Sequence, residues 1–207
     1  MANTAHGLVT KLAFAAALFS GPQADAEERQ ARLILHLDNY GLLRRAERAA
    51  AETEVTRIYA QAGVLIVWAA GPGSADIPGM HLHVRFLSSD RLARRKIAAE
   101  RVADDVLGLA LREAGRAYIF IHRLAAWSLQ HRGDFGRVLG RVIAHEVGHL
   151  VLPMYSHSED GIMRARLVVR AKSSQEFTPQ QAFAIRSLLL TTSRSHAAQI
   201  TDAALAR

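Results

Sequence analysis

The chain has 207 residues, half of them hydrophobic, with 26 Lys+Arg, 19 Asp+Glu, 10 His and no Cys. That length and apolar content describe one domain with a core of its own and exclude a globally disordered chain. Without Cys there are no disulfides, thiolate metal ligands, iron–sulfur clusters or Cys nucleophiles, so any metal must be held by His and carboxylates; the net charge of +7 favours anionic neighbours without identifying one.

Residues 1–26 read as a secretory signal peptide. Lys11 precedes an apolar run from Leu12 to Phe19, Ser20-Gly21-Pro22 ends that run, and Ala24-Asp25-Ala26 offers small residues where a signal peptidase needs them. The run is too short to span a bilayer as a helix. The mature protein is therefore expected to begin near Glu27 and to work outside the cytoplasm, secreted or periplasmic.

Arg32–Leu37 (RLILHL) alternates Leu33, Leu35 and Leu37 against Ile34 and His36, which is a strand pattern. A helix is predicted over about 42–62, where Ala51, Val55, Ile58, Tyr59 and Ala62 recur at helical spacing and Gly63 supplies the stop. Val64–Trp68 (VLIVW) is a continuous apolar run and reads as a buried central strand. Residues 70–79 hold two Pro and three Gly and form a loop. His81–Phe86 (HLHVRF) alternates again. Ser88-Ser89-Asp90 can cap a helix over about 91–103, and 117–122 (AYIFIH) reads as another strand. Two helices close the chain. One covers about 136–151. The other starts at Thr178-Pro179, with Thr178 as cap, Pro179 in the first helical position and Gln181 completing a capping box. After about 192 the apolar periodicity fades, so 193–207 is expected to be a flexible tail. The whole predicts an α/β (α+β) fold in one domain, 27–192. Its mixed twisted sheet is built from 31–37, 64–69, 80–86 and 117–122, with the 136–151 helix packed below it.

The chemistry is concentrated in 144–163, AHEVGHLVLPMYSHSEDGIM. His145-Glu146-Val147-Gly148-His149 is an H-E-x-x-H motif, rare by chance at this His and Glu content. On a helix, residues four apart share a face, so two imidazoles can grip one Zn²⁺. Glu146, beside the first of them, can reach a zinc-bound water and take its proton. A catalytic zinc wants three protein ligands and an open position. Pro153 stops the helix, the chain turns, and His157 returns as the candidate third ligand.

The run HEVGH, then a His, then GIM resembles the metzincin clan of zinc metallopeptidases, and more closely small bacterial secreted proteins of the same layout. The resemblance implies a single-domain metzincin-like zincin: a long helix, an active-site helix, a Met-turn and a C-terminal helix. It implies one catalytic Zn²⁺, His145, His149 and His157 as ligands, Glu146 as general base, Met163 as the Met-turn residue, and a peptide or protein substrate. The match covers about 31–190, but only 144–163 is specific. The clan's pattern H-E-x-x-H-x-x-G-x-x-H would put Gly at Leu152 and the third His at Tyr155, so here the third His comes two residues late. Tyr155 could itself be a fourth ligand or a transition-state donor.

Alternatives stand beside this reading. His145 and His149 could be core histidines of an inert helix, and His157 a surface-loop residue. Glu176 is a rival third ligand. His81 and His83 share a strand face and could bind metal weakly, whereas His36 and His122 read as structural. The Arg clusters at 44–48 and 91–101 are solvated helix faces. With 6% aromatics the chain lacks the stacking platform of a nucleic-acid binder, while weak contact with an anionic surface is compatible with them. A second functional reading is a non-catalytic envelope-binding module on the same scaffold. Glu146 argues against it, because a purely structural zinc site has no use for that carboxylate.

Overall fold

The structure is a computed structural model that describes residues 30–69, 77–88, 95, 98–100, 103, 105–154, 156–166 and 175–205. The elements are β1 (Arg32–Asp38), α1 (Arg45–Gln61), β2 (Leu65–Ala69), β3 (Met80–Leu87), β4 (Gly108–Leu111), β5 (Arg116–Phe120), α2 (Ile121–Gln130), α3 (Phe135–Val151) and α4 (Pro179–Leu205). The signal-peptide segment, most of the 70–79 loop and most of the helix expected over 91–103 lie outside the described residues.

The strands form one sheet in the order β2-β1-β3-β5-β4. The first four are parallel, and β4 runs antiparallel to β5. The fold is thus the mixed α/β arrangement expected. Register sorts the side chains by face. Leu33 and Leu35 of β1, Leu82, Val84 and Phe86 of β3, and Ala117 and Ile119 of β5 point to one side and are buried. The alternating residues His36, His81, His83, Arg85 and Arg116 point to the other. The helices cover the apolar side, α1 and α3 packing closely on each other and α3 also lying against β4 and β5.

The α1–α3 contact explains two glycines. A Cβ on Gly136 would lie 2.7 Å from the Cβ of Ala50, and one on Gly140 would lie 2.7 Å from the backbone oxygen of Ala51. Their bare backbone lets the two helices cross closely, and Leu139 and Ile143, next to this seam, are fully buried. Each such side chain contributes roughly 1.5–3 kcal/mol of apolar burial. Glu54 of α1 bonds Arg141 of α3 at 3.0 Å and Arg57 at 3.1 Å. Burial would raise its pKa, but the two guanidiniums outweigh burial and hold the carboxyl below its usual range.

Three expectations change. The apolar run 64–69 is an edge strand, not a central one: β2 pairs with β1 alone, and Leu65 is 36% exposed. The run misleads because α1 delivers the chain straight back beside β1, while the sheet grows on β1's other side. Second, the strand expected over 117–122 ends at Phe120, and Ile121 begins the unexpected helix α2, so His122 opens a helix. Third, the backbone stays helical to Leu205, through the segment expected to fray after about 192. At the start of that helix the capping box is present: Gln181 N donates to Thr178 Oγ1 at 3.3 Å and Thr178 N donates to Gln181 Oε1 at 3.0 Å.

Candidate metal centre

The core helix α3 carries the H-E-x-x-H motif. Asp134 caps its start, accepting from Arg137 N at 2.8 Å, and Leu152 leaves the helix in an extended conformation ahead of Pro153. One turn apart on the same face, His145 and His149 bring their Nε2 atoms to 3.0 Å. The loop after Pro153 returns His157 to them, its ring 4.8 Å from that of His149 and 5.4 Å from that of His145. One ring nitrogen from each of the three lies within 4.8 Å of the others.

The outer nitrogens of the two helical histidines are committed. His145 Nδ1 donates to the Ile162 carbonyl at 2.9 Å, and His149 Nδ1 shares a hydrogen bond with Ser156 Oγ at 3.1 Å. The carbonyl can only accept, which fixes His145 with Nε2 as a free lone pair, while the Ser156 hydroxyl orients the His149 ring. Zinc bonds of ~2.0–2.1 Å in a tetrahedron require the nitrogens to sit ~3.3 Å apart. The His145–His149 pair fits zinc after an adjustment of a few tenths of an ångström, and the third imidazole, within 4.8 Å of both, closes on the metal by a shift of up to about 1.5 Å. Burial lowers the pKa of His145, and burial with the charges of His145, His157 and Arg112 lowers that of His149 to about 4. Both are neutral, ligand-competent imidazoles at pH 7.

Glu146 is 7% exposed and is not one of the three groups whose ligand atoms converge. Burial pushes its carboxyl up to about 8. Its neighbour is a gap in β4: a Cβ on Gly108 would lie 2.6 Å from Glu146 Cγ and 2.7 Å from Oε1. The carboxyl occupies the space a side chain would have taken. Among the described residues no hydrogen bond holds it. Both it and the histidines open on a cleft of about 1070 Å³, lined also by residues of β4, of α2 and of the loop after α3.

The loop that carries His157 is braced at both neighbours. Ser156 O accepts from Gln181 Nε2 at 3.0 Å, so the residue that caps α4 also holds this loop. Ser158 N donates to Met163 O at 3.0 Å. Met163 is fully buried under α3, its sulfur 2.5 Å from where a Cβ of Gly148 would be. Arg112, in the turn after β4, donates to the carbonyls of His149, Leu150 and Leu152 and so closes the C-terminal end of α3.

The sequence-named residues separate cleanly. His145, Glu146, His149, His157 and Met163 gather at one place. Glu176 does not join the three histidines: its backbone oxygen accepts from Ile162 N at 2.9 Å, and its charge acts on Arg57. His81 and His83 lie on the sheet's other face, where His36 stacks on both, at 5.2 and 4.7 Å between ring centres. Tyr155 lies outside the described residues. Gly108, Arg112 and Ser156 were not singled out by the sequence, and Gln181 was named only as a cap.

No protein-family model matches the chain and no curated protein is similar to it. Among solved structures, a zinc-dependent peptidase from Methanocorpusculum labreanum (strain Z) is similar over 73% of this chain and 92% of its own, at 16% identity and a TM-score of 0.38, a likeness too slight to bear on function.

Proposed function

We propose that the protein is a zinc-dependent peptidase whose metal is held by His145, His149 and His157 and whose general base is Glu146. One observation carries this: three imidazoles converge in an open cleft, with a buried, unpaired carboxyl one residue from the first of them. A structural zinc site is closed by four protein ligands, whereas three leave a position for chemistry. Zinc there supplies a Lewis acid that acidifies water and polarises the scissile carbonyl.

The chain's own residues do the rest. Ile162 and Ser156 hold the two helical imidazoles with Nε2 presented. Glu146 stays neutral while buried alone and ionises once a dication lies beside it, because an opposite charge nearby favours the charged form. It then takes the proton of the attacking water and gives it to the leaving amine. Met163, buried beneath Gly148, fits the Met-turn of a metzincin-like enzyme acting on internal bonds of a peptide or protein substrate. The segment 1–26 supports export, and among the described residues no helix is long and apolar enough to cross a membrane.

The test is zinc stoichiometry and peptide hydrolysis by the protein and two variants. Glu146→Gln should keep one zinc and lose about 10²–10⁴-fold in hydrolysis, the usual cost of a general base. His157→Ala should lose zinc affinity itself. Zinc-loaded protein that cleaves nothing in a broad peptide library would overturn the peptidase reading in favour of a binding module. Protein recovered from the periplasm or medium should begin near Glu27, and an intact N-terminus there would refute export by cleavage.

A further inference from the structure

The walls of the cleft carry an excess of positive charge. Arg112, Arg123, Arg164 and Arg166 line it, against Asp105 and the buried Glu146 as carboxyls. Arg112 is fixed in place by three main-chain carbonyls at the end of α3. A carbonyl accepts the hydrogen bond without removing the charge, so this cation stays in the lining at the end of α3, beside the start of the 153–166 segment. Arg164 and Arg166 follow Met163 by one and three residues, which ties them to the segment anchored under α3. Arg164 meets Asp160 at 3.6 Å, but the two side chains are 40% and 86% exposed. Such a solvent-screened pair is worth little and is readily exchanged for another carboxylate. Arg166 is exposed beside it.

We infer that the cleft selects peptide segments with acidic residues beside the scissile bond, and that Arg164 and Arg166 are the residues that read them. This rests on the peptidase reading and narrows its substrate class. A lysine-bearing segment would meet like charge along the lining. An acidic one would replace Asp160 at Arg164 and add a contact at Arg166. The one pair gained at Arg166, together with the like-charge repulsion a Lys would meet there, amounts to about a tenfold preference of Glu over Lys, falling as salt screens it.

The experiment uses the zinc-loaded protein and three fluorogenic peptides that differ only in carrying Glu, Ala or Lys at the positions flanking the scissile bond. The expected kcat/KM order is Glu, Ala, Lys, with Glu over Lys by about tenfold at low salt and by less at 0.5 M NaCl. Arg164→Glu with Arg166→Glu should invert the Glu-to-Lys ratio while zinc stoichiometry stays at one. Binding of the same peptides to the Glu146→Gln protein, by calorimetry, reads recognition without turnover. Cleavage of all three at equal kcat/KM, or a ratio unmoved by the double charge reversal, overturns the inference and leaves the peptidase reading standing. No cleavage of any peptide, with tighter binding of the Glu peptide, refutes the peptidase reading and keeps the recognition. If the double variant does not bind zinc, the salt dependence of the unaltered protein decides: a Glu-to-Lys ratio that does not fall with salt refutes the inference.

Discussion

Replacing Gly108 by Ala probes the least conspicuous part of the site. The added methyl would sit 2.6 Å from Glu146 Cγ, 2.7 Å from Oε1 and 2.8 Å from Cδ. Carbon atoms rest at about 3.5–4.0 Å, so the carboxyl must move by roughly 1 Å or β4 must withdraw by as much. Glu146 has no hydrogen bond among the described residues to hold it, so the carboxyl is the part that yields. A misplacement of about 1 Å can cost about 10²-fold in rate. Stability should change less: overpacking costs about 1–3 kcal/mol, offset in part by the roughly 0.5–1 kcal/mol gained when Gly leaves a strand. The assay is peptide hydrolysis by zinc-loaded protein, with zinc stoichiometry and Tm measured on the same sample. The expected result is kcat lower by about 10²-fold, one zinc retained and a Tm lower by a few degrees. Activity within threefold of the parent, with zinc unchanged, would refute the idea that the empty side chain at 108 makes room for the base.

Three further outcomes follow from the same geometry. In metal-free protein, Glu146 keeps its proton to about pH 8 when folded but loses it near 4.5 when unfolded, whereas His149 resists protonation down to about 4. Rising pH therefore costs folded-state stability between about 6.5 and 8 at ~1.4 kcal/mol per unit, while below 6.5 the histidines oppose Glu146; thermal melts should peak near pH 6.5, and Glu146→Gln should flatten the alkaline side. Ser156→Ala removes the partner of His149 Nδ1 and should weaken zinc binding by about 10–100-fold, read by competition with a chelator; unchanged affinity would refute its orienting role. Glu54→Gln should lower Tm at pH 7 by a few degrees by leaving Arg141 half-buried without its counterion. Because the folded pKa of Glu54 is depressed, that deficit should shrink as pH falls through and below the usual carboxylate range, and a deficit of equal size in acid strong enough to protonate the carboxyl would count against the ion pair.

Much of this was legible in the sequence, and the rest has physical reasons for being hidden. β1, β3, α1 and α3 follow from periodicities long enough to be unambiguous, and the Thr178–Gln181 box is a local chemical signal that the structure reproduces atom for atom. The motif 145–149 announces its own geometry because helical spacing alone brings two imidazoles together. β4 escapes because Gly108–Leu111 is too short to show a period. The edge position of β2 escapes because an apolar run reports the faces of a strand and not its neighbours. Gly108 and Arg112 escape because their meaning lies in residues far along the chain, and a lone Gly or Arg carries no mark of what it will touch.

The three histidines all come from one short stretch, 145–157, whereas the carboxyl's housing comes from β4 and the loop's brace from α4. The metal grip therefore closes a short loop at small entropic cost, and the apparatus around it depends on contacts between distant parts of the chain, which form late and melt early. Partial unfolding should uncouple the two. A protein that has lost β4 or α4 would still capture zinc but would have no poised base, so that zinc content in an aged or overheated preparation would overstate the fraction able to turn over.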